Sequence, residues 1–345
     1  MTVPPRASIA TTEGQHGGNL SWAMTAFGGI ADQWLDLSTG INPNGYPVPE
    51  MPATVWQRLP DSAAFTQAED AARKIFGVPS AKAVVVTAGT QAAINVLPRM
   101  RPHSRVAVVG KTYSEHALAW AQAGHEVREA ESLTDACSAE VVVVVNPNNP
   151  DGRVYPRDEL CDAARALSAR DGTLIVDEAF ADSCPDESLA QDGQYANIVI
   201  LRSVGKFYGL AGIRVGFVIC PSALALPLRQ LLGPWSVTGP SLAACTVALN
   251  DSAWRDDTRR RLFDAGRRLE QTLVAANLTL VGRTDLFALT ATPHAQALWQ
   301  FLADQHILVR RFEQQPLWLR FGLPGSEAGW QRLHEAFASF AEVRA

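Results

Sequence analysis

Residues 201–218 read LRSVGKFYGLAGIRVGFV: a strand-like run, a lysine set among small residues, then a second apolar run. Lys206 follows Ser203 and Gly205, precedes a turn at 209–212, and is trailed by a second cation, Arg214. A surface lysine needs none of these neighbours. Small residues let backbone approach a ligand closely, and a lysine partly withdrawn from water beside another cation loses proton affinity and becomes an amine nucleophile. The plainer alternative is a solvated lysine in a glycine-rich loop. The upstream sequence argues against it.

Two earlier stretches have the same form, an apolar run ending abruptly in polar residues. Residues 141–145 are all valine and lead into Asn146-Pro147-Asn148-Asn149-Pro150-Asp151-Gly152; residues 173–176 lead into Asp177-Glu178-Ala179-Phe180. Continuous β-branched runs are what a parallel strand buried on both faces requires, and open α/β sheets bind ligands at the carboxyl ends of such strands. Three strand ends therefore offer an amide, a carboxylate and a lysine to one crevice. That set can hold a pyridine aldehyde by its phenolic oxygen, ring nitrogen and carbonyl carbon.

With NPNNPDG, DEAF and SVGKFYGLAGIRVG in this order, the chain resembles the fold-type I pyridoxal-phosphate enzymes of the aspartate aminotransferase superfamily. Three motifs in register are far more specific than any one, and the likeness covers nearly the whole chain. The N-terminal HGGNLSWA and LDLSTGINPNGYP narrow it to the threonine-phosphate decarboxylases of cobalamin biosynthesis, relatives of histidinol-phosphate aminotransferase. The fold implied is an α/β aminotransferase-like architecture: a large domain with a mixed, mostly parallel sheet between helices, and a smaller α+β domain. Expected boundaries are an arm with part of the small domain at 1–50, the cofactor domain at 51–250 and the small domain at 251–345.

Composition agrees with such an enzyme. The 345 residues are 47% hydrophobic and 19% charged, ordinary for a globular protein. A formal net charge of −5 argues against general attraction to nucleic acid or an anionic membrane. Cys137, Cys161, Cys184, Cys220 and Cys245 are odd in number and have neither metal-site nor disulfide-framework spacing, which points to a reducing cytoplasm and to no metal. No run has the length of a signal-peptide core or a membrane span.

The resemblance assigns further residues. Lys206 would carry the cofactor covalently and return a proton to the substrate, and Asp177 would pair with the pyridine nitrogen. Asn149 would bind the phenolic oxygen and Tyr113 would cover the ring face. Gly89, Thr90 and Gln91, opening a helix after the strand at 83–86, would receive the cofactor phosphate, gripped from the other side by Ser203 and Arg214; a threonine there also caps helices without any ligand. Arg320 would fork onto the substrate carboxylate. His16, Asn42, Arg310 and Arg311 are the candidates for the substrate's remaining groups, although a loop histidine, a turn-capping asparagine and edge-strand arginines are ordinary in themselves.

Two departures stand out. Where the family usually has Tyr-Pro-Asp, with a tyrosine that reaches the neighbouring subunit's cofactor phosphate, this chain has Leu59-Pro60-Asp61. Where aminotransferases place a tyrosine near the phenolic oxygen, it has Phe180. The second departure points away from ordinary transamination. The function implied is decarboxylation of L-threonine O-3-phosphate by a homodimer using pyridoxal 5'-phosphate. The alternatives are an aminotransferase acting on a phosphorylated amino compound and a noncatalytic cofactor-binding regulator; the intact Lys206, Asp177 and Asn149 set speaks against the regulator.

Overall fold

The computed structural model of the protein describes residues 17–344. The chain divides into two compact units, one of residues 44–262 and one joining the chain up to Pro43 with Phe263 onward. In chain order the strands are β1 (Leu35–Leu37), β2 (Lys82–Thr87), β3 (Arg105–Val109), β4 (Glu126–Ala130), β5 (Val141–Val145) and β6 (Thr173–Asp177). They continue as β7 (Ile198–Ser203), β8 (Gly216–Pro221), β9 (Thr279–Arg283), β10 (Phe287–Ala291), β11 (Ile307–Phe312) and β12 (Gln315–Gly322).

The larger unit holds a seven-stranded sheet in the order β2-β8-β7-β6-β5-β3-β4. Neighbours from β7 to β4 run parallel, and β8 runs antiparallel to both β7 and β2. All five valines of β5 are buried, as expected for a central strand covered on both faces. Alternate side chains serve opposite faces: Val141 and Val143 join Ile94, Trp120, Ile175, Val199, Leu201 and Val218 in one apolar cluster. Helices supply the cover. That of Arg157–Ser168 buries Leu160, Ala163, Ala164 and Leu167 and keeps its charged residues outward, while Ser62–Phe76 buries Ala68, Ala71, Ala72 and Phe76. The latter begins at Asp61, whose carboxylate accepts from Ala64 N–H at 3.0 Å, and ends at the left-handed Gly77.

Register sets the crevice. Val145 lies opposite Asp177 and Asp177 opposite Leu201, so the polar segments following β5, β6 and β7 emerge side by side at one end of the sheet. One expected strand starts later than its apolar run. Residues 211–213 form a 3-10 turn and Arg214 is left-handed at φ 53°, so β8 begins at Gly216 rather than at Ile213. A left-handed non-glycine residue costs about 1–2 kcal/mol; what that backbone does is bring the Arg214 side chain to Gly89.

The other unit carries the sheet β1-β11-β12-β10-β9. Only β1 and β11 pair in parallel; the remaining pairs are antiparallel. Its core includes Leu37, Phe287, Leu289, Leu298, Leu302, Phe321 and Leu333, each almost fully buried. Among the described residues, no helix is long and apolar enough to cross a membrane.

Candidate active site

Asp177 ends β6 with its side chain buried. Its two oxygens have different partners: Oδ1 accepts from Ala179 N–H at 3.0 Å, and Oδ2 lies 2.8 Å from His116 Nε2. His116 is also buried, in the first turn of the helix Glu115–Gln122. Sequence reasoning missed it. The signal available was its position, three residues beyond Tyr113 on a helix leaving the neighbouring strand end.

The next residue, Glu178, points the other way, as alternation demands. It is buried against Arg202, whose Nη1 donates to Glu178 Oε2 at 3.0 Å and whose Nη2 donates to Asp182 Oδ1 at 2.9 Å. Arg259 Nε donates to the Asp182 carbonyl oxygen at 2.7 Å. This buried ionic cluster ties β6, the turn after it, and β7 together. It thus braces from behind the two segments that carry Asp177 and Lys206.

The three asparagines after β5 divide their duties. Asn146 accepts from Tyr155 N–H at 2.8 Å and donates to Tyr155 O at 3.1 Å. Asn148 accepts from Thr112 Oγ1 at 2.6 Å and donates to Lys111 O at 2.9 Å and to Asp151 Oδ1 at 2.7 Å. Asn146 and Asn148 therefore build the loop and Asp151 braces its turn, while Asn149 beside them is partly buried.

Ser203 and Lys206 follow from β7. Ser203 is buried and its Oγ accepts from Gly205 N–H at 3.1 Å, which folds the chain sharply before the lysine. Lys206 is half-buried, and its Nζ stands 5.8 Å from the centre of the Phe180 ring. Phe180 is buried, so a ring without a hydroxyl faces the amine.

At the edge of the same sheet end, Gly89 has φ 75°, and a Cβ there would lie 2.7 Å from Arg214 Nη2. A Cβ on Gly216 would meet Thr90 N at 2.7 Å. Gly216 is required by close approach, because β8 packs directly on the start of the helix Thr90–Val96, and Gly89 by its positive φ; the Arg214 guanidinium, exposed on its other side, lies over Gly89. The Gln91 side chain accepts from Tyr113 Oη at 3.0 Å. Tyr113 itself precedes the helix Glu115–Gln122 by two residues.

The smaller unit brings together the candidates for anion binding. Arg310 of β11 lies directly opposite Arg320 of β12. Arg320 is buried, donates from Nη2 to Ser38 O at 2.8 Å and stands 5.0 Å from the Phe287 ring centre. Burial, then the like charge of Arg310, push Arg320 down to about 9, with Asp36 opposing. Arg311 stacks over Trp299 at 4.4 Å and donates to Gln296 Oε1 at 3.1 Å. A pocket in this unit is lined by Gly17, Asn19, Ser38, Arg310 and Arg311. Asn42 is buried in the same unit, and His16 lies outside the described residues.

Comparison with known proteins decides the family. The sequence model for aminotransferase class I and II matches residues 53–337. This chain belongs to that family. It is 44% identical over 331 residues to a threonine-phosphate decarboxylase of Pseudomonas aeruginosa, covering 95% of this chain and 98% of that protein. A Sinorhizobium threonine-phosphate decarboxylase is 40% identical, covering 94% and 97%. A histidinol-phosphate aminotransferase of Trichormus variabilis is more distant, at 26% over 80% of this chain and 84% of that protein.

Solved structures share the fold. L-threonine-O-3-phosphate decarboxylase from Porphyromonas gingivalis aligns with a TM-score of 0.74 at 19% identity, covering 89% of this chain and 99% of the other. Histidinol-phosphate aminotransferase from Sinorhizobium meliloti, solved in complex with pyridoxal-5'-phosphate, aligns with a TM-score of 0.75 at 18% identity, covering 88% and 91%. The aminotransferase-like α/β fold read from the three motifs is therefore the fold of this chain.

Proposed function

We propose that this protein uses pyridoxal 5'-phosphate to decarboxylate L-threonine O-3-phosphate, giving (R)-1-amino-2-propanol O-2-phosphate and carbon dioxide for cobalamin biosynthesis, as a cytoplasmic homodimer. The observation that carries the reading is the 44% identity to a threonine-phosphate decarboxylase along 95% of the chain. The residues present fit the cofactor. Gly89 has a φ of 75° that side chains rarely adopt and lies against the Arg214 guanidinium, a cradle of backbone and cation suited to a phosphate dianion. The buried, doubly hydrogen-bonded Asp177 suits a protonated ring nitrogen.

Asn149, Ser203, Thr90 and Arg214 would hold and orient the cofactor, Tyr113 would cover its ring, and Lys206 would anchor it covalently until the substrate amine takes the lysine's place and frees its Nζ. When bound, pyridoxal phosphate supplies the electron sink that lets the Cα–carboxylate bond break with its electron pair. Asp177 keeps the ring-nitrogen proton in place during that step. The freed Lys206 amine would then deliver a proton from Nζ to Cα, in place of the carbon dioxide that has left. Arg320 would take the substrate carboxylate and His16, with Arg310 or Arg311, its phosphate, while Asn42 would add a substrate contact and Arg311 stands over Trp299.

The test is direct. The pure protein loaded with pyridoxal phosphate is incubated with L-threonine O-3-phosphate and the product is identified by mass. Equimolar carbon dioxide and the amino alcohol phosphate are expected. A keto product with aminated cofactor would instead assign the chain to aminotransferase chemistry.

A further inference from the structure

Tyr113 is held at its hydroxyl by Gln91 and at its ring edge by His116. Its Oη lies 3.0 Å from Gln91 Oε1. Gln91 Nε2 lies 3.3 Å from Glu115 Oε2 and 3.2 Å from Asn95 Oδ1. An ionised carboxylate only accepts hydrogen bonds, so Glu115 fixes the orientation of the Gln91 amide: nitrogen towards the carboxylate, oxygen towards the tyrosine. A carbonyl oxygen can only accept. The Tyr113 hydroxyl is therefore the donor in its bond to Gln91, and its one proton is committed there.

The ring edge meets His116 in a T-shaped contact, centroids 6.2 Å apart and planes at 85°. His116 in turn holds Asp177 at 2.8 Å. A tyrosine side chain has two torsions, and the second is broad. A hydroxyl anchor at one end and an edge contact along the side together define the plane of the ring. The same set of contacts orients the carboxylate of Asp177.

We propose that Gln91 is a positioning residue: oriented by Glu115, it takes the Tyr113 hydroxyl proton and sets the plane in which the ring covers the cofactor. The proposal rests on the reading that Tyr113 covers the pyridine face. It makes Tyr113 a stacking surface whose hydroxyl donates no proton to cofactor or substrate, and it gives Gln91 an effect on the cofactor exerted through Tyr113.

The test is a double-mutant cycle on cofactor binding. Gln91→Leu, Tyr113→Phe and their combination are prepared as apoproteins, and each is titrated with pyridoxal phosphate for its dissociation constant and for the visible circular dichroism of the bound chromophore. Loss of one neutral hydrogen bond is expected to weaken binding about three- to tenfold and to lower the dichroism amplitude. The double variant should match either single variant, because both remove the same bond. Gln91→Met, which keeps the side-chain length, must reproduce Gln91→Leu. Penalties that multiply, or unchanged dichroism in both Gln91 variants, would overturn the proposal. Tyr113→Ala separates the two levels: if it leaves affinity and dichroism unchanged, the stacking reading fails as well.

Discussion

His116 Nε2 and Asp177 Oδ2 stand 2.8 Å apart with both side chains buried, and Ala179 N–H occupies the other carboxylate oxygen. The carboxylate is thereby fixed in orientation by two donors, and each has its own mutational signature. His116→Phe keeps the volume and removes one donor from a charged acceptor, a change of about 1.5–3 kcal/mol, so kcat should fall at least tenfold with the cofactor still bound. His116→Asn, which can still donate, should recover part of that loss. Asp177→Asn should be worse than either, by about 100-fold or more, since a neutral amide cannot hold the ring proton. Steady-state rates of the three variants check the order; a normal rate in Asp177→Asn removes the carboxylate from the mechanism.

Lys206→Ala should abolish covalent attachment of pyridoxal phosphate. Borohydride treatment of the loaded wild type followed by peptide mass analysis should place the reduced cofactor on residue 206, and the variant should carry none. A reduced adduct on another lysine in an active Lys206→Ala protein would dismantle the central assignment.

These residues were legible because charged groups ending a β-branched run are conspicuous and the run itself fixes the strand: β5 is the expected 141–145, all buried. His116 was not legible, since its partner is 61 positions away and a single histidine has no period to read. The left-handed Arg214 was missed because position 214 carries no glycine to signal a positive φ. Strand β4, EVREA, escaped notice for another reason. It lies at the edge of its sheet, mostly exposed, and its composition reads as polar helix or loop. Arg310 and Arg311 were indistinguishable in sequence; the register of β11 on β12 separates them, putting Arg310 beside Arg320 while Arg311 covers Trp299.

The buried cluster behind the site predicts a stability effect distinct from catalysis. Arg202 serves two buried carboxylates, Glu178 and Asp182. Removing the cation leaves both without its charge, and breaking a buried pair costs about 3–5 kcal/mol. Arg202→Met should therefore lower the urea midpoint of the apoprotein sharply. Adding Glu178→Gln should restore part of it, because one buried charge then no longer needs a counterion. A midpoint unchanged in Arg202→Met would mean that the cluster contributes nothing net.

The paired arginines of the smaller unit predict both substrate choice and pH dependence. Arg320 is buried beside the like charge of Arg310, and burial first, then that repulsion, lower its proton affinity to about 9. A bound anion relieves the repulsion, so carboxylate or phosphate binding favours the protonated arginine. The sign follows: anion affinity is fully present below the free protein's value near 9 and falls as pH rises through it. An amine-free mimic carrying a carboxylate and a phosphate isolates this term, because over pH 8–10.5 neither of its own groups changes charge. Its dissociation constant should rise about tenfold per unit above the break, and Arg320→Lys should weaken binding because the ammonium lacks the guanidinium's planar fork. For substrates, losing one charge-assisted contact costs about 1.5–3 kcal/mol, at least tenfold in kcat/KM. Threonine should therefore be far poorer than threonine O-3-phosphate. Equal kcat/KM values for the two would overturn phosphate recognition while leaving the assignments of Lys206 and Asp177 untouched.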